Sequence, residues 1–550
     1  MPSIRNMFVT LLILAALAAV APGQDWPMLG HDPQRTHGSA VSVEPPYVVT
    51  WTWPPTLTGP GAASHALSPF AQPVVATVPT DPLTIEPPSA DHPTEPDART
   101  HVFIGTMTGQ VWALDAATGA KAWQTDVDGP VMSSPAVVGR RVFVACADGR
   151  VYAFDSADGV KLWQRDLGAP LMCSPLPVGS RLLIAGRDAR AYALDVATGE
   201  PLWSTPLDAP AAGSCAYADG RVYLATHAAT AYALSERDGE ILWKRTLRGQ
   251  DPWYTPVVAG KAVIVRTRSA AHGPGEDGME TVLRALPPAT DAWPPKDWLL
   301  ERAAIAGHLE QPDERNCFVL DRETGKALFT PAVTRVGGAD CPPWPAVSPT
   351  GVVYVHRRVR STRMKGALNF GSRYPIDFDE IDLDAGDRKP LAALPPNDDV
   401  APRVKLADMN RTHYATIGGR KAYFYHARIG CFALDLLTGE AAGILRPRSM
   451  TTPAPEGTTT LLSKLWAATP GRPRFAEIAS GVVPAAGALF INLPTVGCLV
   501  RIDGNNGRNA PPQPRRASEP PSSQAATDTD TDGDAAGGDQ ERVDKRPTAE

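Results

Sequence analysis

Seven cysteines and eleven histidines are the residues of this chain best suited to metal or nucleophile chemistry. Their spacing supports neither. Cys146, Cys173, Cys215, Cys317, Cys341, Cys431 and Cys498 stand alone, with no CxxC, no CxxCH and no Cys/His cluster. That excludes zinc-ribbon, thioredoxin-like and c-type haem chemistry. Cys317 and Cys431 share one repeat position, just before an aromatic, which points to packing. His65, His101, His227, His356, His413 and His426 are scattered and show no ligand spacing. The aspartates that recur (Asp115, Asp155, Asp195, Asp321 and Asp435) each open an Asp-x-x-Thr/Asp-Gly turn, where the carboxylate serves the backbone rather than acid–base work. Asp528-Thr-Asp530-Thr-Asp532-Gly533-Asp534 matches the first half of an EF-hand loop. Its twelfth position is Asp539 rather than Glu, and no amphipathic helices flank it, so it reads as a solvated acidic linker. Trp253-Tyr254-Thr255 and Cys341-Pro-Pro-Trp344 begin innermost strands of the repeat described next and could face a common axis; core packing is the commoner duty of aromatics. No catalytic, cofactor-binding or metal-ligating set is therefore assigned.

The elements that position these residues repeat. Val111-Trp-Ala-Leu-Asp115, Val151-Tyr-Ala-Phe-Asp155, Ala191-Tyr-Ala-Leu-Asp195 and Ala231-Tyr-Ala-Leu-Ser235 recur every 40 residues. Each leads through a turn glycine (Gly119, Gly159, Gly199, Gly239) to a tryptophan (Trp123, Trp163, Trp203, Trp243). Arg141, Arg181, Arg221 and Lys261 open apolar strands in the same register. In the second copy the strands are SSPAVV, RVFVACA, RVYAFD and KLWQRDL, whose alternation has the period of two expected of β-structure. Four short strands per 40-residue unit, repeated, is the signature of a β-propeller. Degenerate copies of the third strand start at 317, 380, 431 and 499, which predicts eight blades. The last copy lacks an outer strand, and Tyr47-Val-Val-Thr-Trp51-Thr-Trp53 at the other end resembles one. An N-terminal strand completing the last blade would remove both exposed sheet edges. Insertions are expected near 77–99, 267–316, 361–379, 388–418 and 447–475.

Composition agrees. The chain has 550 residues, 43% hydrophobic, with 56 prolines, 47 glycines and a net charge of −6. Proline and glycine make up about a fifth of it, against an ordinary share of roughly 12%, which favours many short strands. An acidic balance speaks against a nucleic-acid partner. Arg5 followed by the apolar run Phe8–Ala21 is too short to span a bilayer and reads as a cleavable signal peptide over 1–23. Residues 24–508 then form the propeller. The tail 509–550, with Val543 as its single large apolar residue, is expected to be disordered.

The pattern A-x-D-x-x-T-G-x-x-x-W, present as Ala113–Trp123 and Ala193–Trp203, resembles the tryptophan-docking repeat of the PQQ-like (quinoprotein-type) propellers. Asp25-Trp26-Pro-Met-Leu-Gly-His31-Asp32-Pro-Gln-Arg35-Thr36 is similar to the N-terminal sequence of exported members. The resemblance implies one of two functions. One branch of the family comprises dehydrogenases that bind pyrroloquinoline quinone (PQQ) with Ca²⁺; the other comprises non-enzymatic scaffolds, including the outer-membrane assembly lipoprotein. The dehydrogenases commonly carry an adjacent cysteine pair, absent here, and no Glu/Asn/Asp ligand set falls on the family's positions. The expectation is an exported, monomeric, eight-bladed propeller with a WD40-like architecture. It would have no transmembrane segment, no cofactor and no catalytic role, and would bind a protein partner or small ligand at one face. The alternative is a PQQ-dependent alcohol or sugar dehydrogenase.

Overall fold

A computed structural model describes residues 25–54, 67–68, 71–79, 99–247, 250–252, 255–268, 317–328, 345–357, 377–383, 387–391, 415–426, 430–436, 441–445, 481–493 and 498–504. The chain divides into two units, Met1–Asn506 and Gly507–Glu550, and all described residues lie in the first. His65, Trp253, Tyr254, His413, the Cys341–Trp344 segment, the leader, the acidic tail and most of the expected insertions lie outside the described residues.

That first unit is an all-β propeller of four-stranded antiparallel blades. The first blade runs Val74–Val78, Arg99–Gly105, Gln110–Asp115 and Lys121–Asp126, and the second Ala136–Val138, Arg141–Ala145, Arg150–Asp155 and Lys161–Asp166. The third spans Leu176–Val178 to Pro201–Pro206, and the fourth Ala216–Ala218 to Ile241–Thr246. Two later blades, Ala346–Leu391 and Thr416–Leu445, repeat the order. The last consists of Val482–Ala485, Ala488–Leu493 and Cys498–Asp503, with Val48–Trp53 as its outer strand. Val48 faces Asp503 and Trp53 faces Leu499, so the N-terminal strand closes the ring as its sequence suggests.

Among the described residues seven blades are complete, not the eight expected. At the position of the eighth copy, Val257–Ala259, Ala262–Arg268 and Cys317–Asp321 follow the blade order. Among the described residues the expected fourth strand is represented by a single bridge between Leu320 and Ala327. The sheet's fourth member is instead Gln250–Pro252, paired with the far end of Ala262–Arg268. The third-strand motif at 317 is intact, and counting such motifs counts a blade whether or not an outer strand pairs with it.

The core lies between blades rather than within them. Val74, Phe103 and Trp123 of the first blade pack with Val142, Tyr152 and Phe154 of the second. Trp51 and Trp53 of the closing blade pack with Ile104, Trp112 and Leu114 of the first. Burial on both faces explains why inner strands such as RVFVA are apolar throughout.

The tryptophans are the joints of this packing. The Trp123 indole N–H donates to Ser156 O of the next blade at 2.9 Å. Trp163 does the same to Val196 O (3.1 Å), Trp203 to Glu236 O (2.9 Å) and Trp243 to Arg322 O (3.0 Å). Trp51, on the N-terminal strand, reaches Ala116 O at 3.1 Å and so carries the same joint across the seam. Each ring lies on the next blade's turn glycine: a Cβ on Gly159 would sit 2.7 Å from the Trp123 ring, and one on Gly119 2.7 Å from Trp51. The turn glycine therefore meets two demands, a positive φ and a floor without a side chain. Trp123 and Trp51 are buried, whereas Trp163, Trp203 and Trp243 are half-buried. Outer strands lie at the rim, where the spreading blades leave one ring edge to solvent.

Candidate functional site at the propeller axis

Near the axis there is little room for side chains, and neighbouring blades are tied by small hydroxyls. The Gln72 N–H donates to Ser134 Oγ (2.8 Å), Ser134 N–H to Ser174 Oγ (3.1 Å), Ser174 N–H to Ser214 Oγ (2.7 Å) and Ser214 N–H to Thr255 Oγ1 (3.0 Å). These residues immediately precede the innermost strands. Their recurrence at 134, 174 and 214 was visible in the sequence, but its use as a blade-to-blade ladder was not.

Inside that ring runs the chain's own N-terminal segment. Trp26 pairs with Val75 of the first blade, N–H to O at 2.6 Å and O from N–H at 3.0 Å. Pro27 O then accepts from Val137 N–H of the second blade (2.7 Å), Pro33 O from Tyr217 of the fourth (2.8 Å) and Gln34 O from Val258 of the incomplete blade (2.9 Å). Thr36 O accepts from Val347 (2.7 Å), His37 O from Ile417 (2.8 Å) and Ser39 O from Gly419 (2.7 Å). The segment visits the innermost strands in the order of the blades. We call Asp25–Ser39 the strap. Its turns need left-handed backbone at Gly30, His31, Arg35 and His37, with φ of 71°, 79°, 59° and 53°. They are fixed by Gly30 N–H donating to Gln72 Oε1 (3.0 Å) and Thr36 N–H to Asp32 Oδ1 (3.0 Å).

Arg35 is the hub and is 0% exposed. Its Nε donates to Cys215 O (2.9 Å), its Nη1 to Leu29 O (2.5 Å) and its Nη2 to Pro175 O (3.3 Å). The last contact touches the third blade, which the strap backbone passes by. Burial lowers the guanidinium pKa to about 10, so it remains charged at neutral pH, its charge spread over three carbonyl dipoles. Burial, then the positive charge of Arg35, holds His37 well below the ordinary imidazole value and neutral.

The other candidates do not converge here. His101 is buried in the first blade, edge-on to Phe103 at 5.9 Å, and burial lowers its pKa. His227 Nε2 lies 2.7 Å from Arg187 Nη1 on an exposed turn. His356 and His426 lie in separate strands. Cys146, Cys173, Cys215, Cys317, Cys431 and Cys498 are buried and unbridged. Burial pushes Cys173, Cys215, Cys431 and Cys498 up to about 12, which makes poor nucleophiles. Asp115, Asp195 and Asp321 accept from Thr118, Thr198 and Thr324 within their own turns; Asp155 accepts from the Ala157 N–H and from Arg140, and Asp435 accepts from Arg420. Among the described residues no group of three His, Cys, Asp or Glu side chains is placed to hold a metal ion. Nor do the described axial residues fit a quinone. The strap fills the ring's centre, and its one cation is committed to backbone carbonyls. Thr255, expected near the axis, is the last hydroxyl of the ladder.

Comparison with known proteins follows this geometry. The family described as "Outer membrane protein assembly factor BamB" matches residues 77–177 and 165–284. The structure is similar to BamB from Moraxella catarrhalis (14% identity, 73% of this chain and 81% of that one, TM-score 0.36). It is also similar to the quinohemoprotein alcohol dehydrogenase from Comamonas testosteroni (12% identity, 92% and 84%, TM-score 0.50). A computationally designed protein, Ika8, shares the likeness at 11% identity over 73% and 92% of the two chains, with a TM-score of 0.44. No curated protein sequence matches the chain. At these identities the likeness is one of fold.

Proposed function

We propose that this chain, whose repeats are of the PQQ-like propeller family, is an exported, non-catalytic scaffold that binds a partner protein at a propeller face. The observation that carries the reading is the strap, with Arg35 at its hub. The centre of the ring, where side chains from several blades would have to meet to do chemistry, is occupied by the chain's own backbone. What the ring offers a partner is a rigid rim and turns, which suit recognition distributed over a surface. The likeness to an outer-membrane assembly factor supports a protein rather than a small molecule as the partner. Export is supported by the apolar N-terminal sequence; among the described residues no helix is long and apolar enough to cross a membrane. The test is a titration of the purified full-length protein with PQQ and Ca²⁺, followed by absorbance and by dye reduction with alcohols and sugars. No spectral change and no reduction is the expected result. Ca²⁺-dependent quinone binding with turnover would replace the scaffold reading by the dehydrogenase one.

A further inference from the structure

The strap and the closing strand are one continuous segment. After Ser39 the chain crosses from the axis to the rim in eight residues, a reach of at most about 30 Å. That crossing is itself tied down: Val43 N–H donates to Tyr423 Oη (2.7 Å), and Tyr47 Oη donates to Val43 O (3.2 Å). The backbone at Glu44 lies against Gly504, where an added Cβ would come 2.2 Å from Glu44 O. Val48–Trp53 then completes the last blade and Trp51 docks on the first.

We infer that Asp25–Trp53 is a latch that engages and releases as a single unit, so that the axial channel and the seam of the ring open together. Three features argue for all-or-none behaviour. Arg35 is tolerated at zero exposure only while Leu29, Pro175 and Cys215 all present their carbonyls, so a half-withdrawn strap strands a buried charge. The seven strap carbonyls that meet the blades are spread over six of them, so no single blade holds the segment by itself. The crossing segment is buried at Val43 and Tyr47 and gives neither end slack to move independently. Access to the axis is thereby linked to the integrity of the last blade. Whatever bound the emptied channel would also open the seam.

The test is native-state hydrogen exchange on the full-length protein through a series of sub-denaturing urea concentrations. One set of amides reports the axis: Val137, Tyr217, Val258, Val347 and Ile417. A second set reports the seam, the Val48–Trp53 amides bonded to Cys498–Asp503. Both sets are expected to open with the same free energy and the same urea dependence. Arg35→Lys should accelerate exchange of both by about 10- to 100-fold, the range for losing hydrogen bonds to a buried charge. Trp51→Phe, which keeps the ring stack but removes the bond to Ala116, should accelerate both by about 2- to 10-fold and reads the coupling from the other end. Axial amides that open while the seam amides stay protected, or a Trp51→Phe effect confined to the seam, would overturn the latch.

Discussion

The tryptophan joint can be measured with two glycines that differ in one respect. Gly159 and Gly179 both have left-handed backbone, with φ of 76° and 54°. A Cβ at Gly159 would stand 2.7 Å from Cδ2 and Cε3 of Trp123, whereas at Gly179 it would meet nothing within 4 Å. Alanine at either site carries the cost of the left-handed region, about 1–2 kcal/mol. At Gly159 the Trp123 ring must also move. Overpacking of this kind costs about 1–3 kcal/mol, and the bond to Ser156 O is worth about 1 kcal/mol more. Gly159→Ala should therefore lose about 3–6 kcal/mol and Gly179→Ala about 1–2 kcal/mol in urea unfolding followed by tryptophan fluorescence. In a Trp123→Ala background the excess should vanish, leaving Gly159→Ala with its backbone cost alone. Equal losses for the two single variants, or an excess that survives without the indole, would show that the ring does not rest on that glycine.

Three further outcomes are expected. Deleting residues 25–54 removes the strap, the outer strand of the closing blade and the Trp51 joint, so unfolding should shift to much lower urea; deleting 509–550 removes none of these contacts and should leave the transition in place. Above pH 9 the unfolded chain sheds its thiol protons, whereas Cys173, Cys215, Cys431 and Cys498 keep theirs to about pH 12 when folded. The unfolded state then binds fewer protons and stability falls with rising pH, by up to about 1.4 kcal/mol per thiol per unit; Cys431→Ala should flatten the slope in alkaline urea titrations. Below pH 6.5 the sign reverses. His37, held neutral by burial, must be matched against an unfolded imidazole that takes up a proton, so stability falls as pH drops from 6.5, and His37→Phe should remove that component.

What the sequence made legible is what the blades repeat. The Asp-x-x-Thr-Gly turn and the tryptophan four residues on recur because each blade solves one packing problem in one way, and the bonds follow that spacing at Trp123, Trp163 and Trp203. The outer strand at 48–53 was legible for the same reason, since VVTWTW carries the chemistry of a fourth strand wherever it lies in the chain. The blade count failed at 317–327, where the third-strand motif persists although, among the described residues, its partner strand is a single bridge. Motif counting registers the residues that define a strand, not whether the next strand pairs with it.

The strap escaped because it is recognised through its backbone. Seven of its carbonyls face the blades, and nearly any residue supplies a carbonyl. Its sequence still carries traces of that arrangement. Pro27 and Pro33, which have no N–H to leave unpaired, stand where only an acceptor is used. The N–H groups of His31, Arg35 and His37 turn inward to Met28, Asp32 and Gly30 within the segment. A segment that turns seven carbonyls toward the blades builds negative potential there and needs compensating donors. The innermost strands supply theirs as unused edge N–H groups, and Arg35 supplies the rest from the centre. The same edge amides that would make an open channel sticky to foreign strands are thereby consumed by the chain's own strap. A ring built this way is completed from the inside and from the rim by one segment, which is why Asp25–Trp53 governs both.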